Sequence, residues 1–165
     1  MTQPIAEYDF LYDSPTGLLG ICIDAGSITK IIWLEQDVLA TTETSPSKKS
    51  INKMLKKEVV TALDNYFESG LFEDEISLCP DGTRFQKRVW QALKRIPLGT
   101  VKTYGDVAKE LKTSSRAVGQ ACRRNNIPIF IPCHRVVAAR GIGGFMGGYR
   151  HVERKRWLLQ HEGIL

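Results

Sequence analysis

The chain has 165 residues, of which 42% are hydrophobic and 25% are charged, a balance that excludes a disordered or fibrous protein. Residues 1–83 carry 6 Lys or Arg against 14 Asp or Glu, whereas residues 84–165 carry 17 against 4. The basic half suits a polyanion such as nucleic acid, although a solvated basic surface without a partner is the alternative.

The sequence shows no sign of a membrane or secretory protein. Purely apolar runs such as Ile31–Leu34 are too short to cross a membrane, and the first ten residues lack the regions of a secretory signal. The four cysteines have no CxxC spacing and are too sparse for a disulfide scaffold. We therefore expect a cytoplasmic protein in a reducing setting, with no membrane contact.

The first half of the chain predicts a small antiparallel sheet followed by one helix. Three β-rich segments separated by turn sequences predict the strands: residues 7–13, 18–23 and 28–35. Residues 41–50 are polar and predict a loop. Apolar residues at helical spacing then predict a helix over 51–69 that ends at Gly70, and residues 71–83 read as a connector.

The second half predicts a group of helices. Three amphipathic segments follow a Ser or Thr that can cap them: 84–95 after Thr83, 104–111 after Thr103, and 116–124 after Ser114 or Ser115. The last two have the proportions of a helix-turn-helix. Ala117 and Gly119 lack bulk, so this last helix can lie close to another helix or to a nucleic-acid groove.

The candidate chemistry is concentrated at Cys133, His134 and Arg135, inside the apolar stretch 127–139. A cysteine in such a stretch is usually a small hydrophobic residue, but neighbouring polar side chains need partners or a function. A nucleophilic cysteine needs a lowered pKa, which a nearby base or cation supplies. Glu162, one of four acids in the basic half, could orient such a base. From these residues alone, a structural cysteine and a Cys/His enzyme both remain open.

An ordered set of motifs resembles the O6-alkylguanine-DNA alkyltransferase family. The family's active-site motif Pro-Cys-His-Arg-Val is present at 132–136, and its recognition-helix start Arg-Ala-Val-Gly at 116–119. Further matching motifs are Phe85-Gln86 with Val89-Trp90, Ile96-Pro97 with Gly99, Tyr104 in Thr-Tyr-Gly, and the closing stretch Arg154–Gly163. The match is strongest over 83–165. Before that it is loose, through Ser14-Pro15 with Gly17 and the strand pattern.

The resemblance implies an α+β fold in two domains. Residues 1–80 would form a small ribonuclease H-like sheet domain. Residues 81–165 would form a helical DNA-binding and catalytic domain with a helix-turn-helix and an active-site loop. It further implies a monomer that binds double-stranded DNA containing alkylated guanine through the minor groove, and that needs no cofactor.

The implied reaction is direct reversal of alkylation damage. Cys133 would attack the alkyl carbon on O6 of guanine, and by extension on O4 of thymine, and keep the alkyl group irreversibly. His134 would take the thiol proton through a water, Glu162 would orient His134, and Asn125 would lie in the hinge before the active-site strand. Asn125 also suits a plain turn. One chain would repair one base.

A damaged base must leave the duplex to reach this cysteine. In the family's pattern, Arg116 would fill the gap in the base stack, although an ordinary phosphate contact is its alternative. Tyr104 would crowd the phosphate of the flipped nucleotide and later donate a proton to the leaving guanine; a core tyrosine is the other interpretation. Ala117 and Gly119 would allow docking in the minor groove.

The pocket wall departs from the family's usual Gly-Tyr-x-Gly-Gly. Residues 144–149 offer two registers, in which either Phe145 or Tyr149 takes the place of the tyrosine, and we assign Val136 and Met146 to the same pocket. No metal is expected. Some relatives hold zinc in the N-terminal domain, but no histidine precedes His134 here, and Cys22 and Cys79 cannot supply four ligands. These two thiols and Cys122 are expected to be inert.

Three other functions can be weighed against this one. A non-catalytic sensor of alkylated DNA that recruits excision repair would lack the reactive cysteine, which is present here. A Cys/His hydrolase would turn over rather than stop after one reaction. A transcription factor with this helix-turn-helix would prefer one DNA sequence.

Overall fold

The computed structural model of the chain describes residues 8–35, 52–72, 75–147 and 151–165. The chain divides into two compact units, Met1–Pro80 and Asp81–Leu165. Within the described ranges, the first unit holds a three-stranded sheet and one α-helix, and the second holds four α-helices and a two-stranded sheet. The α+β class is therefore confirmed. The predicted loop over 41–50 lies outside the described residues.

The sheet of the first unit is an antiparallel meander. Its strands are β1 (Phe10–Ser14), β2 (Gly17–Asp24) and β3 (Ser27–Trp33), in that spatial order. Ala25 and Gly26, between β2 and β3, have φ values of 46° and 81°, as a tight hairpin of this hand requires. Alternate strand residues are buried and form one apolar face: Phe10, Leu19, Ile21, Ile31 and Trp33.

Helix α1 (Lys53–Ser69) completes the first unit. The Asn52 side chain accepts hydrogen bonds from two backbone N–H groups of the first turn, and Gly70 ends the helix in the left-handed conformation. Helical spacing buries Leu55, Val59, Ala62, Leu63 and Tyr66. Met54, which was predicted to lie on the same face, is instead 74% exposed, because it is on the first turn and is rotated about 100° around the helix from Leu55.

Three helices of the second unit begin at the caps that the sequence predicts. Helix α2 (Arg84–Lys94) begins after Thr83, α3 (Tyr104–Leu111) after Thr103, and α4 (Ser115–Arg123) after Ser114. The first two carry complete capping boxes. The Trp90 indole donates to the Ala121 carbonyl at 2.9 Å, which ties α2 to α4 inside the core.

The rest of the second unit includes elements that sequence analysis did not predict. Strand β4 (Lys102–Thr103) pairs in parallel with β5 (Val136–Val137), and a 3-10 helix, Cys133–Arg135, immediately precedes β5. Helix α5 (Val152–His161) closes the chain. None of the helices in the described part of the chain is long and apolar enough to span a membrane.

Candidate active site

Cys133 is held at the start of a buried 3-10 helix. Its N–H donates to the Ile131 carbonyl at 2.8 Å, and the thiol-bearing residue is 3% exposed. The chain reaches this point through Ile129, whose φ of 75° is strained for a β-branched residue. The prolines and the left-handed residue stop the apolar stretch from continuing as a strand, and they turn the backbone so that the cysteine ends the stretch.

The Asn125 side chain hydrogen-bonds to the Cys133 sulfur, so Asn125 is more than a turn residue. Its amide nitrogen donates to Cys133 Sγ at 3.1 Å and to the Ile131 carbonyl at 2.9 Å. Its amide oxygen accepts from the Ile127 N–H at 3.0 Å. Asn125 is 2% exposed, so every polar atom of this side chain is used inside the protein. The asparagine therefore fixes the loop and places a hydrogen-bond donor on the sulfur.

His134 and Glu162 form a buried pair beside the cysteine. His134 Nε2 lies 2.6 Å from Glu162 Oε1, and neither side chain is exposed to solvent. Glu162 is placed there by the C-terminal end of α5. Burial opposes its ionisation, but hydrogen bonds from His134 and Arg135 prevail and lower the pKa of Glu162 to about 2. Burial lowers the pKa of His134, so the imidazole is neutral at pH 7 and can act as a base.

Lys155 and Tyr104 border the same site. Lys155 lies on α5, is fully buried, and donates to the carbonyls of Val136 and Gly144. Its ammonium lies 5.7 Å from the centre of the Tyr104 ring, and burial lowers the pKa of Lys155 to about 8. The Tyr104 hydroxyl donates to the Gly144 carbonyl at 3.4 Å, and burial raises the pKa of Tyr104 to about 12. The phenol is therefore protonated at neutral pH.

The thiol of Cys133 is not ionised in the free protein. A nucleophilic cysteine is expected to have a lowered pKa, but burial raises the pKa of Cys133 to about 11, against the hydrogen bond from Asn125 and the charge of Lys155. The expectation is wrong for the resting protein because desolvation of a thiolate in this apolar stretch outweighs both stabilising groups. The thiolate must form when its proton is removed at the time of reaction.

A cavity of about 490 Å³ has Cys133 in its wall. Its lining includes Cys133, Tyr104, Cys122, Gly119, Arg123, Phe145, Met146 and Val152, with Gly143, Gly144 and Gly147. Two predicted pocket residues, Phe145 and Met146, are thus in the wall. Val136 is fully buried in β5 and is not part of this lining, while Tyr149 lies outside the described residues.

Glycines let the loop over 141–147 approach its neighbours closely. A Cβ on Gly147 would lie 2.5 Å from Arg123 Nε, and one on Gly143 would lie 3.2 Å from the Tyr104 ring. Both glycines also have positive φ, 77° and 74°. Phe145, between them, is 4% exposed and lies in the cavity wall.

The remaining predicted residues lie on α4. Arg116 is exposed on the first turn of this helix, next to Ala117, and Gly119 lies one turn further along and reaches the cavity. A Cβ on Gly119 would meet no atom within 4 Å, so helix packing does not require this glycine. The exposed arginine and the two small residues therefore share one helix that ends at the cavity.

Sequence analysis missed three residues of this site. Lys155 sits in a helix of many charged residues, and only the tertiary fold shows that this one lysine points inward. Arg123 and Cys122, at the end of α4, also line the cavity, and burial raises the pKa of the Cys122 thiol. Among the described residues, no three His, Cys, Asp or Glu side chains are grouped as a metal site would need.

Residues 84–164 match the family model described as the DNA-binding domain of 6-O-methylguanine DNA methyltransferase. The chain is 36% identical over 158 residues to a methylated-DNA–protein-cysteine methyltransferase of Methanosarcina mazei, a match that covers 94% of this chain and 96% of the relative. It is 35% identical over 155 residues to the constitutive enzyme of that name from Bacillus subtilis, with 92% and 93% covered.

A solved structure agrees with these sequence relatives. The fold is similar to that of Mycobacterium tuberculosis OGT in complex with DNA, with a TM-score of 0.76 and 36% identity. The match covers 93% of this chain and 91% of that chain.

Proposed function

Because this chain belongs to the 6-O-methylguanine DNA methyltransferase family, we propose that it repairs alkylated DNA by transferring the alkyl group from the damaged base to its own Cys133. Its activity is that of a methylated-DNA–protein-cysteine methyltransferase, which reverses the damage directly and irreversibly. The observation that carries the assignment of the acceptor is that Cys133 lines the cavity with its sulfur hydrogen-bonded by Asn125, while the next residue, His134, is paired with Glu162.

His134 is the base that removes the proton from Cys133. Glu162 occupies Nε2 of the imidazole, so Nδ1 is the nitrogen that accepts the thiol proton, through a bridging water. The thiolate then attacks the alkyl carbon. A carbon–sulfur bond forms as the carbon–oxygen bond at O6 breaks, and the electron pair of that bond stays with the guanine. The ionised Glu162 stabilises the imidazolium that results.

The leaving guanine is neutralised by a proton from Tyr104. The phenol lines the cavity and keeps its proton well above neutral pH, so it can donate to the base as negative charge develops there. Bulk water restores the phenol proton after the guanine leaves. The product thioether has no exchangeable proton and no leaving group, so the protein is consumed after one reaction.

The partner is double-stranded DNA that contains O6-alkylguanine, and by the same chemistry O4-alkylthymine. Helices α3 and α4 would act as a helix-turn-helix that docks α4 in the minor groove, where Ala117 and Gly119 leave room for the backbone. Arg116 would fill the stack after the base flips into the cavity. We propose that one cytoplasmic monomer does this without a cofactor, and that residues 1–80 form a ribonuclease H-like domain and residues 81–165 the catalytic domain.

The alternative of a non-catalytic sensor is not favoured. Such a protein would need no acceptor thiol, whereas here Cys133 faces the cavity and the curated relatives are named as methyltransferases.

The proposed function is tested by counting turnovers. Protein is mixed with a fivefold excess of duplex DNA that contains O6-methylguanine, and the restored guanine is measured over time. We expect the product to stop at one equivalent per chain. Continued release beyond one equivalent would show a hydrolase, and tight binding to the lesion without any product would show a sensor.

Replacing Arg116 with alanine should slow repair of duplex DNA by about 10- to 100-fold, because the unstacking energy of the flipped base is no longer offset. The rate with the free base O6-benzylguanine, which needs no flipping, should change less than twofold. Arg124→Ala is the matched control, since Arg124 is an exposed arginine at the other end of the same helix. Equal losses with both substrates would reject the role in the base stack.

A further inference from the structure

Arg135, the fourth residue of the Pro-Cys-His-Arg-Val motif, donates a hydrogen bond inside the protein from each of its three guanidinium nitrogens. Nε donates to Glu162 Oε2 at 2.8 Å, and Nη2 donates to Glu162 Oε1 at 3.0 Å. Nη1 donates to the Ile96 carbonyl, just beyond α2, at 2.7 Å. The side chain is 10% exposed. Three donors on one rigid plane thus hold three oxygen atoms, two of Glu162 and one of Ile96, in different parts of the second unit.

This arrangement limits where Glu162 can point. Oε1 accepts from both His134 Nε2 and Arg135 Nη2, while Oε2 is held by Arg135 Nε. The carboxylate therefore cannot rotate about its Cγ–Cδ bond without losing two charged hydrogen bonds. Because Glu162 follows directly after α5, a link from Arg135 to Ile96 also ties the end of α5 to the end of α2.

The same contacts keep the imidazole proton of His134 on Nε2. A buried carboxylate with only an imidazole for a partner could take that proton and leave Nε2 as the basic nitrogen. The guanidinium makes the carboxylate a poor proton acceptor, so the proton remains on Nε2. Nδ1 is then the nitrogen that is available to act as a base toward Cys133.

We propose that Arg135 is a positioning residue for alkyl transfer: it clamps both oxygens of Glu162, so that the carboxylate aims at His134 Nε2 and the imidazole presents Nδ1 to the thiol. This inference rests on the proposed function. Arg135 acts through Glu162 and His134, and it is not among the described residues that line the cavity.

Substitutions at position 135 can separate the effect of the positive charge of Arg135 from the effect of its shape. Several groups act on the protonation of His134. Glu162 favours its protonated form, whereas Arg135 and Lys155 oppose it, and Cys133 adds no charge while it is a thiol. Lysine at position 135 would keep the positive charge but cannot bind both carboxylate oxygens and the Ile96 carbonyl at once. Methionine would remove both the charge and the clamp.

The test is the rate of Cys133 alkylation by free O6-benzylguanine between pH 5 and pH 9. We expect Arg135→Lys to react about 10- to 100-fold more slowly than wild type with an unchanged acid limb. Arg135→Met should be at least as slow, with the acid limb moved to higher pH because His134 is easier to protonate. Arg140→Met, which changes an exposed arginine near the same site, is the control and should react like wild type.

Several outcomes would overturn the inference. Arg135→Lys that reacts at the wild-type rate would show that no clamp is needed, and an unmoved acid limb in Arg135→Met would show that the charge does not reach His134. Should the variants not fold, the carboxyl carbon of Glu162 in the wild-type protein is titrated by NMR. Ionisation that persists below pH 4 is expected, and a titration midpoint at or above pH 4 would contradict the clamp. Wild-type protein that fails to react at all would reject the proposed function as well.

Discussion

Replacing Glu162 with glutamine is expected to slow alkyl transfer to Cys133 by about 100-fold. The glutamine can still accept a hydrogen bond from His134 Nε2, but it carries no charge to stabilise the imidazolium that forms when the thiol loses its proton. The pKa of His134, already lowered by burial, should fall further, which weakens the base. The measurement is the single-turnover rate with duplex DNA that contains O6-methylguanine, from pH 5 to pH 9.

The same variant should lose stability as well as activity. Arg135 would keep its buried charge without a carboxylate, which costs about 3 kcal/mol of unfolding free energy. Glu153→Gln is the matched control, because Glu153 lies on the same helix with a side chain that is 77% exposed. We expect that control to match wild type in rate and to within about 0.5 kcal/mol in stability. A Glu162→Gln protein with the wild-type rate would remove the carboxylate from the reaction.

The wild-type protein should lose about 3 kcal/mol of stability from Glu162 alone as the pH falls from 4.5 to 2. The pKa of this group is about 2 in the folded protein and near 4.5 in an unfolded chain. In that window the unfolded chain binds the proton and the folded protein does not, so acid favours unfolding. Above pH 4.5 the contribution is fully present.

Protonation of His134 also favours unfolding, and it does so at a higher pH than protonation of Glu162. Its pKa is lowered in the folded protein, so the unfolded chain is protonated first as the pH falls below 6.5. The free energy of unfolding, measured with urea at pH 7, 4.5, 3.5 and 2.5, reports the protonation of both groups. Between pH 4.5 and 2.5 the stability of Glu162→Gln should fall less steeply than that of wild type, while Glu153→Gln should follow wild type. Parallel curves for all three proteins would show that Glu162 has an ordinary pKa.

The sequence predicts most of the helices because their signals are local. Thr83, Thr103 and Ser114 cap the helices that follow them, and Gly70 ends α1, since each effect depends on a few neighbouring residues. The pairing of β4 with β5 was not predicted. Each strand has only two residues, and their partners lie more than thirty positions apart. No periodicity can be read from so short a segment.

Motifs and residue types were enough to identify several residues of the site, but not their burial or their pKa values. Cys133, His134 and Glu162 were singled out from the sequence, and the structure brings the histidine and the glutamate to 2.6 Å. The direction of the pKa shift of Cys133 was wrong, because a sequence does not show how completely a thiol is desolvated. Lys155 was missed for a related reason: its burial depends on how α5 packs, and the residues around it in sequence are charged.

The central claim, that Cys133 accepts the alkyl group, is most directly tested by locating the transferred methyl. The protein is incubated with duplex DNA that carries radiolabelled O6-methylguanine and is then digested with trypsin. Cleavage at Arg123 and Arg124 separates Cys122 from Cys133, the other thiol of the cavity. We predict one equivalent of label on the Cys133 peptide, retention of the label in Cys122→Ser, and none in Cys133→Ser. Label on the Cys122 peptide, or label that persists in Cys133→Ser, would contradict the account.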